Sequence, residues 1–445
     1  MNTPVIDYVN QYINSGTVRM HMPGHKGTEL TGPEKADITE ICGAGELYES
    51  SGPIGEAEEN TAALFGAGKS CWVTEGSSQC IRAMVALAAL NCGKKGGTII
   101  AARNAHRAFV TGCALAGIRI EWLWSRENYS LCSCRISAGQ VEDAIEASAE
   151  KPAAVWLTSP DYLGNLQDIS GIAAVCRRHD VPLLVDNAHG AYLKFMHPSV
   201  HPLDLGADMC CDSAHKTLPA LTGCAYLHIS KTAPVCFARE AKRMLALTGS
   251  TSPSWLLLQS LDAVNRQLAG DFTARLDECI NKTAALKAEL EGIGWRFIGD
   301  ETIKLTVDAG RCGYSGPQLA ELLRQKGVEC EYADPDYVVL MVSVCSTDGD
   351  LETLRKSMRE IPVLPAMQKK IFSFAVPEKV FTPAGVMLMP AVTVKTEDAV
   401  GRILADSSLS CPPAVPVITA GERIGRDMLP VLEHYGIEEV SVAAE

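Results

Sequence analysis

The chain has 445 residues, 47% of them hydrophobic, and a formal net charge of −13 at pH 7. This composition excludes collagenous and disordered chains and predicts a globular α/β protein of two or three domains. The acidic balance argues against a nucleic-acid partner, because phosphate binding needs clustered lysine and arginine. The longest apolar stretch, Ala83 to Leu90, is too short to span a membrane, and the early acid Asp7 does not fit a secretory leader, so we expect a cytoplasmic protein.

Seventeen cysteines scatter through apolar segments such as Met209-Cys210-Cys211. In a long chain a reduced thiol behaves as a small hydrophobic residue, so we predict core cysteines and no disulfide framework. Cys132-Ser133-Cys134 is the only close pair with metal-like spacing, and no second pair or histidine cluster follows at zinc-finger distance. We therefore expect no metal site.

Residues 1–16 are expected to form an N-terminal arm and residues 17–294 a large domain. Within it, short apolar runs alternate with helical patterns, at Cys71 to Thr74, Thr98 to Ile100, Ile118 to Trp122, Ala154 to Leu157, Leu183 to Val185 and Ala225 to Ile229. Strands separated by helices form βαβ units, so we predict a mostly parallel sheet covered on both faces, with ligands at the carboxyl ends of its strands. Helical periodicity from Trp255 to Ile293, interrupted at Gly270, predicts long helices that lead out of this domain.

The rest of the chain is expected to form two smaller parts, a small α/β domain at 295–364 and a C-terminal domain at 365–445. A softer boundary between them is marked by Pro362 and Pro365. The predicted elements are strands at Ile303 to Val307 and Tyr337 to Val342, a helix from Gly316 to Lys326, further short strands and one helical segment after residue 371, and a rigid extended stretch from Cys411 to Pro416.

A Gly76-Ser77-Ser78 turn follows the first predicted strand and opens a helical run. Backbone N–H groups, two hydroxyls and the positive end of a helix dipole together suit a phosphate monoester. The same turn is also what a simple helix N-cap looks like.

Asp186 ends the apolar run Leu183 to Val185, and Lys216 follows in Ser213-Ala214-His215-Lys216-Thr217. A lysine beside phosphate-type ligands, with a carboxylate at the end of a buried strand, suggests pyridoxal phosphate bonded to Lys216 with Asp186 on its ring nitrogen. For Asp186 the alternative is an N-cap of the following segment.

Three histidines lie near these motifs. His106 follows the second strand, where a flat imidazole can stack on the cofactor ring, although an isolated histidine there can also be a cap or a core residue. His189 is interpreted as a core imidazole or as an indirect partner of the site. Ser213 and His215 flank Lys216 closely enough to contact the phosphate or the substrate.

These residues are part of a longer ordered set of motifs. The set contains His21-Met22-Pro23-Gly24-His25-Lys26-Gly27, Asp37-Ile38-Thr39-Glu40, Gly52-Pro53-Ile54, Gly76-Ser77-Ser78, Arg103-Asn104-Ala105-His106, Asp186-Asn187-Ala188-His189-Gly190-Ala191, Ser213-Ala214-His215-Lys216-Thr217-Leu218-Pro219-Ala220-Leu221-Thr222 and Ser250-Thr251-Ser252-Pro253. From about residue 17 to Cys411-Pro412-Pro413, the chain resembles the Orn/Lys/Arg decarboxylase family of fold type I pyridoxal phosphate enzymes.

The resemblance implies a fold type I large domain with a smaller C-terminal α/β part, and pyridoxal 5'-phosphate as cofactor. It implies Lys216 as the lysine bonded to the cofactor, Asp186 on the ring nitrogen and His106 stacked on the ring. The residues that it implies for cofactor binding include Gly76, Ser77, Ser78, His189, Ser213 and His215. It also implies an active site at a homodimer interface, where Ser250 and Thr251 reach the neighbouring subunit's cofactor phosphate.

Two positions near the expected cofactor depart from the family pattern. Asn187 stands where the family commonly has a glutamate, and Gly223-Cys224 stands where it usually has a Gln-Gly or similar pair. The sequence given also lacks the long N-terminal receiver-like domain of the large inducible members. It resembles the shorter branch, in which arginine and lysine decarboxylases both occur.

The expected activity is decarboxylation of arginine, lysine or ornithine to the corresponding amine, in polyamine-type metabolism, with His215 or Lys216 returning a proton to Cα. Candidate acids for the substrate's distal cation are Glu46 and Glu422, each also interpretable as a solvated surface acid. Alternatives are an aminotransferase or lyase that clamps the α-carboxylate with Arg402, an inactive regulatory homologue, or activity on an unusual small or neutral amino acid.

Overall fold

The structure, a computed structural model, describes residues 1–93, 96–125, 132–368, 370, 372, 375–411 and 415–444. Its first half contains α1 Pro4–Asn14, α2 Gly52–Phe65, β1 Lys69–Val73, α3 Ser77–Cys92, β2 Thr98–Ala102, α4 Arg107–Ala116, β3 Arg119–Leu123, α5 Ala138–Ala147, β4 Ala154–Thr158, α6 Ile169–Arg178, β5 Leu183–Asp186, β6 Met209–Asp212, α7 Ala214–Thr217 and β7 Ala225–Ile229. The second half contains α8 Val235–Ala246, α9 Trp255–Leu268, α10 Phe272–Gly292, β8 Phe297–Ile298, β9 Lys304–Asp308, α11 Gly316–Gln325, β10 Tyr332–Ala333, β11 Tyr337–Met341, α12 Asp348–Glu360, α13 Pro383–Met387, β12 Ala391–Lys395, β13 Ser408–Cys411, β14 Val415–Thr419, α14 Leu429–His434 and β15 Glu439–Ala443.

The central sheet has seven strands in the order β1-β7-β6-β5-β4-β2-β3. Strand β5 runs parallel to β6, and β2 runs parallel to β3, while β7 is antiparallel to both of its neighbours. Each of the six strands predicted in this region is present, which confirms the α/β architecture.

Strand β6 was not predicted. Its Met209-Cys210-Cys211 run predicts only core cysteines, because a run of four residues is too short to show a period and cysteine carries little strand preference. All four residues of β6 are buried.

The predicted helical break near Gly270 is confirmed. Helix α9 ends at Leu268 and α10 begins at Phe272, so one long amphipathic pattern forms two helices.

In the predicted extended stretch from Cys411 to Pro416, residues 412–414 lie outside the described residues, while β13 ends at Cys411 and β14 begins at Val415.

The chain divides into two compact units: unit 1 comprises residues 1–94, 153–155 and 169–275, and unit 2 comprises 95–152, 156–168 and 276–445. The domain boundaries expected from sequence, near 294 and 364, stay predictions.

The core of unit 1 lies around α2, α3, α8 and α9, where Phe65, Trp72, Phe237 and Trp255 are fully buried. A buried ion pair joins two of these helices, because Lys242 on α8 binds Glu58 on α2. Glu58 also accepts the backbone N–H of Trp72 on β1 at 2.7 Å. The pair therefore connects the helices to the strand that precedes the Gly76 turn.

Unit 2 contains a four-stranded sheet in the order β10-β11-β9-β8 and the two-stranded pairs β12-β15 and β13-β14. Three of its helices, α5, α11 and α12, begin at capping boxes, in which the first side chain and the third helical residue satisfy each other's backbone N–H groups. No helix in the described ranges combines the length and apolar character needed to cross a bilayer.

Candidate functional site

The Gly76 turn of unit 1 begins helix α3. Gly76 is the N-cap residue with φ of 71°, a conformation that favours glycine, and Ser77 and Ser78 are the first two helical residues. Ser213, after β6, donates its hydroxyl to Ser77 Oγ at 2.8 Å. Two hydroxyls therefore lie at a helix N-terminus whose first backbone N–H groups have no partner within the helix, which is an arrangement suited to phosphate.

Lys216 lies on the short helix α7, directly after β6. Its Nζ is 2.9 Å from Nε2 of His189, a residue that is 6% exposed. Sequence reasoning left His189 between a core imidazole and an indirect partner. The structure brings it into direct contact with the lysine amine.

Asp186 is the last residue of β5 and is 3% exposed. Its Oδ1 accepts the backbone N–H of Ala188 at 3.2 Å and the thiol of Cys211 at 3.5 Å. Burial raises the pKa of the Asp186 carboxyl, while the charge of Lys216 acts in the opposite direction. The carboxylate is thus close enough to the amine for the two charges to interact.

These groups fit the three reactive parts of pyridoxal phosphate. The Ser77 and Ser213 hydroxyls at the start of α3 suit its phosphate, the Lys216 amine suits its aldehyde, and the buried Asp186 carboxylate suits its ring nitrogen. A buried carboxylate with a raised pKa gains most from a partner that carries a proton, and a pyridinium N–H is such a partner.

His215 and the Gly223-Cys224 departure are connected through the main chain. His215 Nδ1 donates to the carbonyl of Cys224 at 2.9 Å, which leaves Nε2 as the ring nitrogen that this contact does not use. The carbonyl of Gly223 accepts the N–H of Gly76 at 2.8 Å. Because both contacts use backbone carbonyl groups, they do not depend on the side chain at position 224.

Asn187, the other departure, does not point toward the groups described above. Its Nδ2 donates to Oδ1 of Asp212, the last residue of β6, at 2.7 Å. Asp212 also accepts from His201 Nε2 at 3.0 Å and has no solvent exposure. Burial acts to raise the pKa of Asp212, but the imidazoles of His201 and His228 hold it well below its usual range.

Sequence reasoning missed Asp212 and Cys211 because it missed β6. One signal was available: Asp212 ends the apolar run Met209 to Cys211 in the same way that Asp186 ends the apolar run Leu183 to Val185.

His106 lies in unit 2 as the N-cap residue of α4, where its Nδ1 accepts the N–H of Ala108 at 3.1 Å. The cap interpretation is therefore confirmed. Stacking on a cofactor ring is a separate expectation and stays a prediction.

Ser250 and Thr251 lie in an exposed segment of unit 1 before α9. The backbone N–H of Ser250 donates to the Glu75 carboxylate, beside the Gly76 turn. Their expected contact with a neighbouring subunit stays a prediction.

The two candidate distal acids have different surroundings. Glu46 is exposed. Glu422 in unit 2 is 2% exposed and accepts two hydrogen bonds from Arg103, each 2.7 Å long, so the interpretation as a solvated surface acid is wrong for it. Arg402, the candidate carboxylate clamp, donates to the carbonyl of Ala443 at 3.2 Å.

Comparisons with known proteins place the chain in a family. The model for "Orn/Lys/Arg decarboxylase, major domain" matches residues 3–308. Among curated proteins, YaaO of Bacillus subtilis, an uncharacterized protein, is 29% identical over 96% of this chain and 93% of its own length. Arginine decarboxylase of Bacillus anthracis is 24% identical over 96% of this chain and 92% of its own length.

Solved structures with the same fold include the E. coli constitutive lysine decarboxylase, with a TM-score of 0.81 and 18% identity over the whole of this chain and 82% of that one. A Francisella novicida lysine decarboxylase gives a TM-score of 0.83 at 18% identity, over 99% of this chain and 81% of that one. Orn/Lys/Arg decarboxylases and these fold type I neighbours depend on pyridoxal phosphate. The chain belongs to the Orn/Lys/Arg decarboxylase family and is a pyridoxal phosphate-dependent decarboxylase of fold type I.

Proposed function

We propose that the protein removes the α-carboxylate of arginine, lysine or ornithine and produces the corresponding amine and carbon dioxide, in polyamine-type metabolism. The observation that carries this proposal is the arrangement in unit 1 of Lys216, His189, Asp186, Ser77 and Ser213. Arginine is the substrate to test first, because arginine decarboxylases of several Bacillus species align with nearly the whole chain.

In this proposal Lys216 would hold the cofactor through its amine, and Ser77, Ser78 and Ser213 would hold the phosphate with the backbone of the Gly76 turn. When bound, the cofactor would supply an electron-accepting ring for the electron pair that the departing carboxylate leaves. Asp186 keeps a proton on the ring nitrogen, which makes the ring a stronger electron acceptor.

Two imidazoles control protons near the released lysine. His189 Nε2 lies 2.9 Å from Lys216 Nζ, so it can accept a proton from the ammonium form and keep the amine nucleophilic. His215, held through Nδ1 by the carbonyl of Cys224, presents Nε2. We propose that either His215 or Lys216 returns a proton to Cα after carbon dioxide leaves.

His106 is proposed to stack on the cofactor ring, and Ser250 and Thr251 are proposed to reach the phosphate of a second subunit in a homodimer. No charged clamp on the departing carboxylate is needed, because a tight ion pair there would stabilise the ground state more than the transition state.

The test is production of amine and carbon dioxide by the purified, cofactor-loaded protein from arginine, lysine and ornithine in turn. Lys216→Ala should abolish product formation, whereas Lys231→Ala, at an exposed lysine of the same unit, should not affect it. A cofactor-loaded wild-type protein that releases no carbon dioxide from any of the three would contradict the proposal.

A further inference from the structure

Asp212 is a buried carboxylate that the proposed mechanism does not use. Its hydrogen-bond donors are the amide of Asn187 at 2.7 Å and Nε2 of His201 at 3.0 Å. His201 Nδ1 accepts the N–H of Leu203 at 3.4 Å, so Nε2 is the nitrogen that donates to Asp212. The nearest nitrogen of His228 lies 3.5 Å from Asp212 Oδ2. Among the described ion pairs of Asp212 there is no lysine or arginine, so the groups that surround its carboxylate are one amide and two imidazoles.

The position of Asp212 connects it to the ring-binding carboxylate. Strands β5 and β6 are parallel, with Asp186 opposite Cys211. The carbonyl of Cys211 accepts the N–H of Asn187 at 3.0 Å, and its thiol donates to Asp186 at 3.5 Å. Asp212 then binds the side chain of Asn187. Two consecutive residues of β6 therefore hold two consecutive residues at the end of β5.

The residue Gly190 makes room for this arrangement. Its N–H donates to the carbonyl of Asn187 at 2.8 Å, and a Cβ at position 190 would lie 2.1 Å from the Asn187 side-chain oxygen. The carboxamide of Asn187 is thus confined between Gly190 and Asp212.

We propose that Asp212 is a positioning residue: through Asn187 it fixes the Asp186–Asn187 corner, and its buried charge strengthens retention of the proton on the cofactor's ring nitrogen. This inference rests on the proposed role of Asp186. The titratable groups that act on Asp186 within unit 1 are Lys216 on α7, Cys211 and Asp212 on β6, and Cys80 on α3. Of these only Asp212 is both ionised at neutral pH and negative, because burial raises the pKa of both thiols.

The same geometry accounts for the departure at position 187. A glutamate there would bring a second carboxylate to Asp212 inside the core, where two like charges cannot both ionise cheaply. An amide at 187 and a carboxylate at 212 form a matched donor and acceptor.

The test compares Asp212→Asn with Asp208→Asn. Asp208 is a matched control, because it is a partly buried aspartate just before the opposite end of β6 and its carboxylate accepts the N–H of Leu183 at 2.8 Å. In each holoenzyme the visible absorbance of the bound cofactor is titrated with pH, and kcat and KM are measured. Removing an anion near the ring lowers its proton affinity, so Asp212→Asn should move the titration midpoint to lower pH by about one unit and reduce kcat about tenfold, with KM within about twofold. Asp208→Asn should match wild type.

A second variant exchanges the two groups, with Asn187→Asp and Asp212→Asn together. It keeps the hydrogen bond in reverse and moves the charge next to Asp186, so its midpoint should return to the wild-type value or lie above it. The inference is overturned if Asp212→Asn titrates like wild type, or, should that variant not fold, if the exchange variant titrates below wild type. Failure of the proposed function would look different, because cofactor-loaded wild-type protein would then release no carbon dioxide from arginine, lysine or ornithine, while the spectral titration would still compare the variants.

Discussion

Replacing Asp262 by asparagine should stabilise the protein in a pH-dependent way. Asp262 on α9 accepts the backbone N–H groups of Val5 and Ile6 at 2.9 and 3.0 Å and so holds the start of α1. Burial raises the pKa of its carboxyl from 3.8 to about 6. Asparagine keeps an acceptor oxygen for both N–H groups and carries no charge to bury.

The direction in which the stability changes with pH follows from proton binding to Asp262. With a folded-state pKa above the unfolded value, Asp262 contributes stability below about pH 4 that is lost as pH rises through about 6. At about 1.4 kcal/mol per pKa unit, burying the ionised Asp262 carboxylate costs about 3 kcal/mol of unfolding free energy at pH 8. Asparagine removes this cost, but it also loses the charge of the carboxylate at the start of α1, which offsets about 1 kcal/mol of the gain.

We therefore expect Asp262→Asn to raise the free energy of unfolding by about 1 to 2 kcal/mol at pH 8 and to leave it nearly unchanged at about pH 4. Urea unfolding at both pH values measures this, with the exposed Asp277→Asn as a matched control. A variant that is less stable than wild type at pH 8, or equally stabilised at both pH values, would refute the reasoning.

Two further substitutions probe buried ion pairs. Lys242→Met should lower the free energy of unfolding by about 3 to 5 kcal/mol, because it leaves the Glu58 carboxylate buried without its cation. In urea titrations, the double variant that also carries Glu58→Gln should recover part of that loss. Glu422→Gln should destabilise unit 2 by about 2 kcal/mol or more, because Arg103 is 4% exposed and would lose its charged partner; a melting temperature within about 1 °C of wild type would contradict this.

Much of the fold was predictable from local pattern. The strands around Val73, Val185 and Leu227 are apolar runs bounded by polar turns, and such runs identify buried strands from sequence alone. The break at Gly270 was readable for a similar reason, since glycine is unfavourable inside a helix. Motifs that follow strand ends, at Gly76 and Asp186, could also be located.

What sequence could not supply were pairings between distant segments. Strand β6 has four residues, so no periodicity reveals it, and without it neither Asp212 nor its bond to Asn187 could be anticipated. Glu422 reads as an ordinary surface acid because its partner, Arg103, lies over three hundred residues earlier in the chain. Burial of charged residues becomes plausible only when the partner is known.

The most direct test of the account is to identify the lysine that carries the cofactor. Borohydride reduction of the holoenzyme fixes the cofactor to its lysine, and peptide mapping by mass spectrometry locates the modified residue. The account predicts a single modified residue, Lys216, and no modification in Lys216→Ala. Modification of a different lysine, or none in a protein with cofactor absorbance, would contradict it.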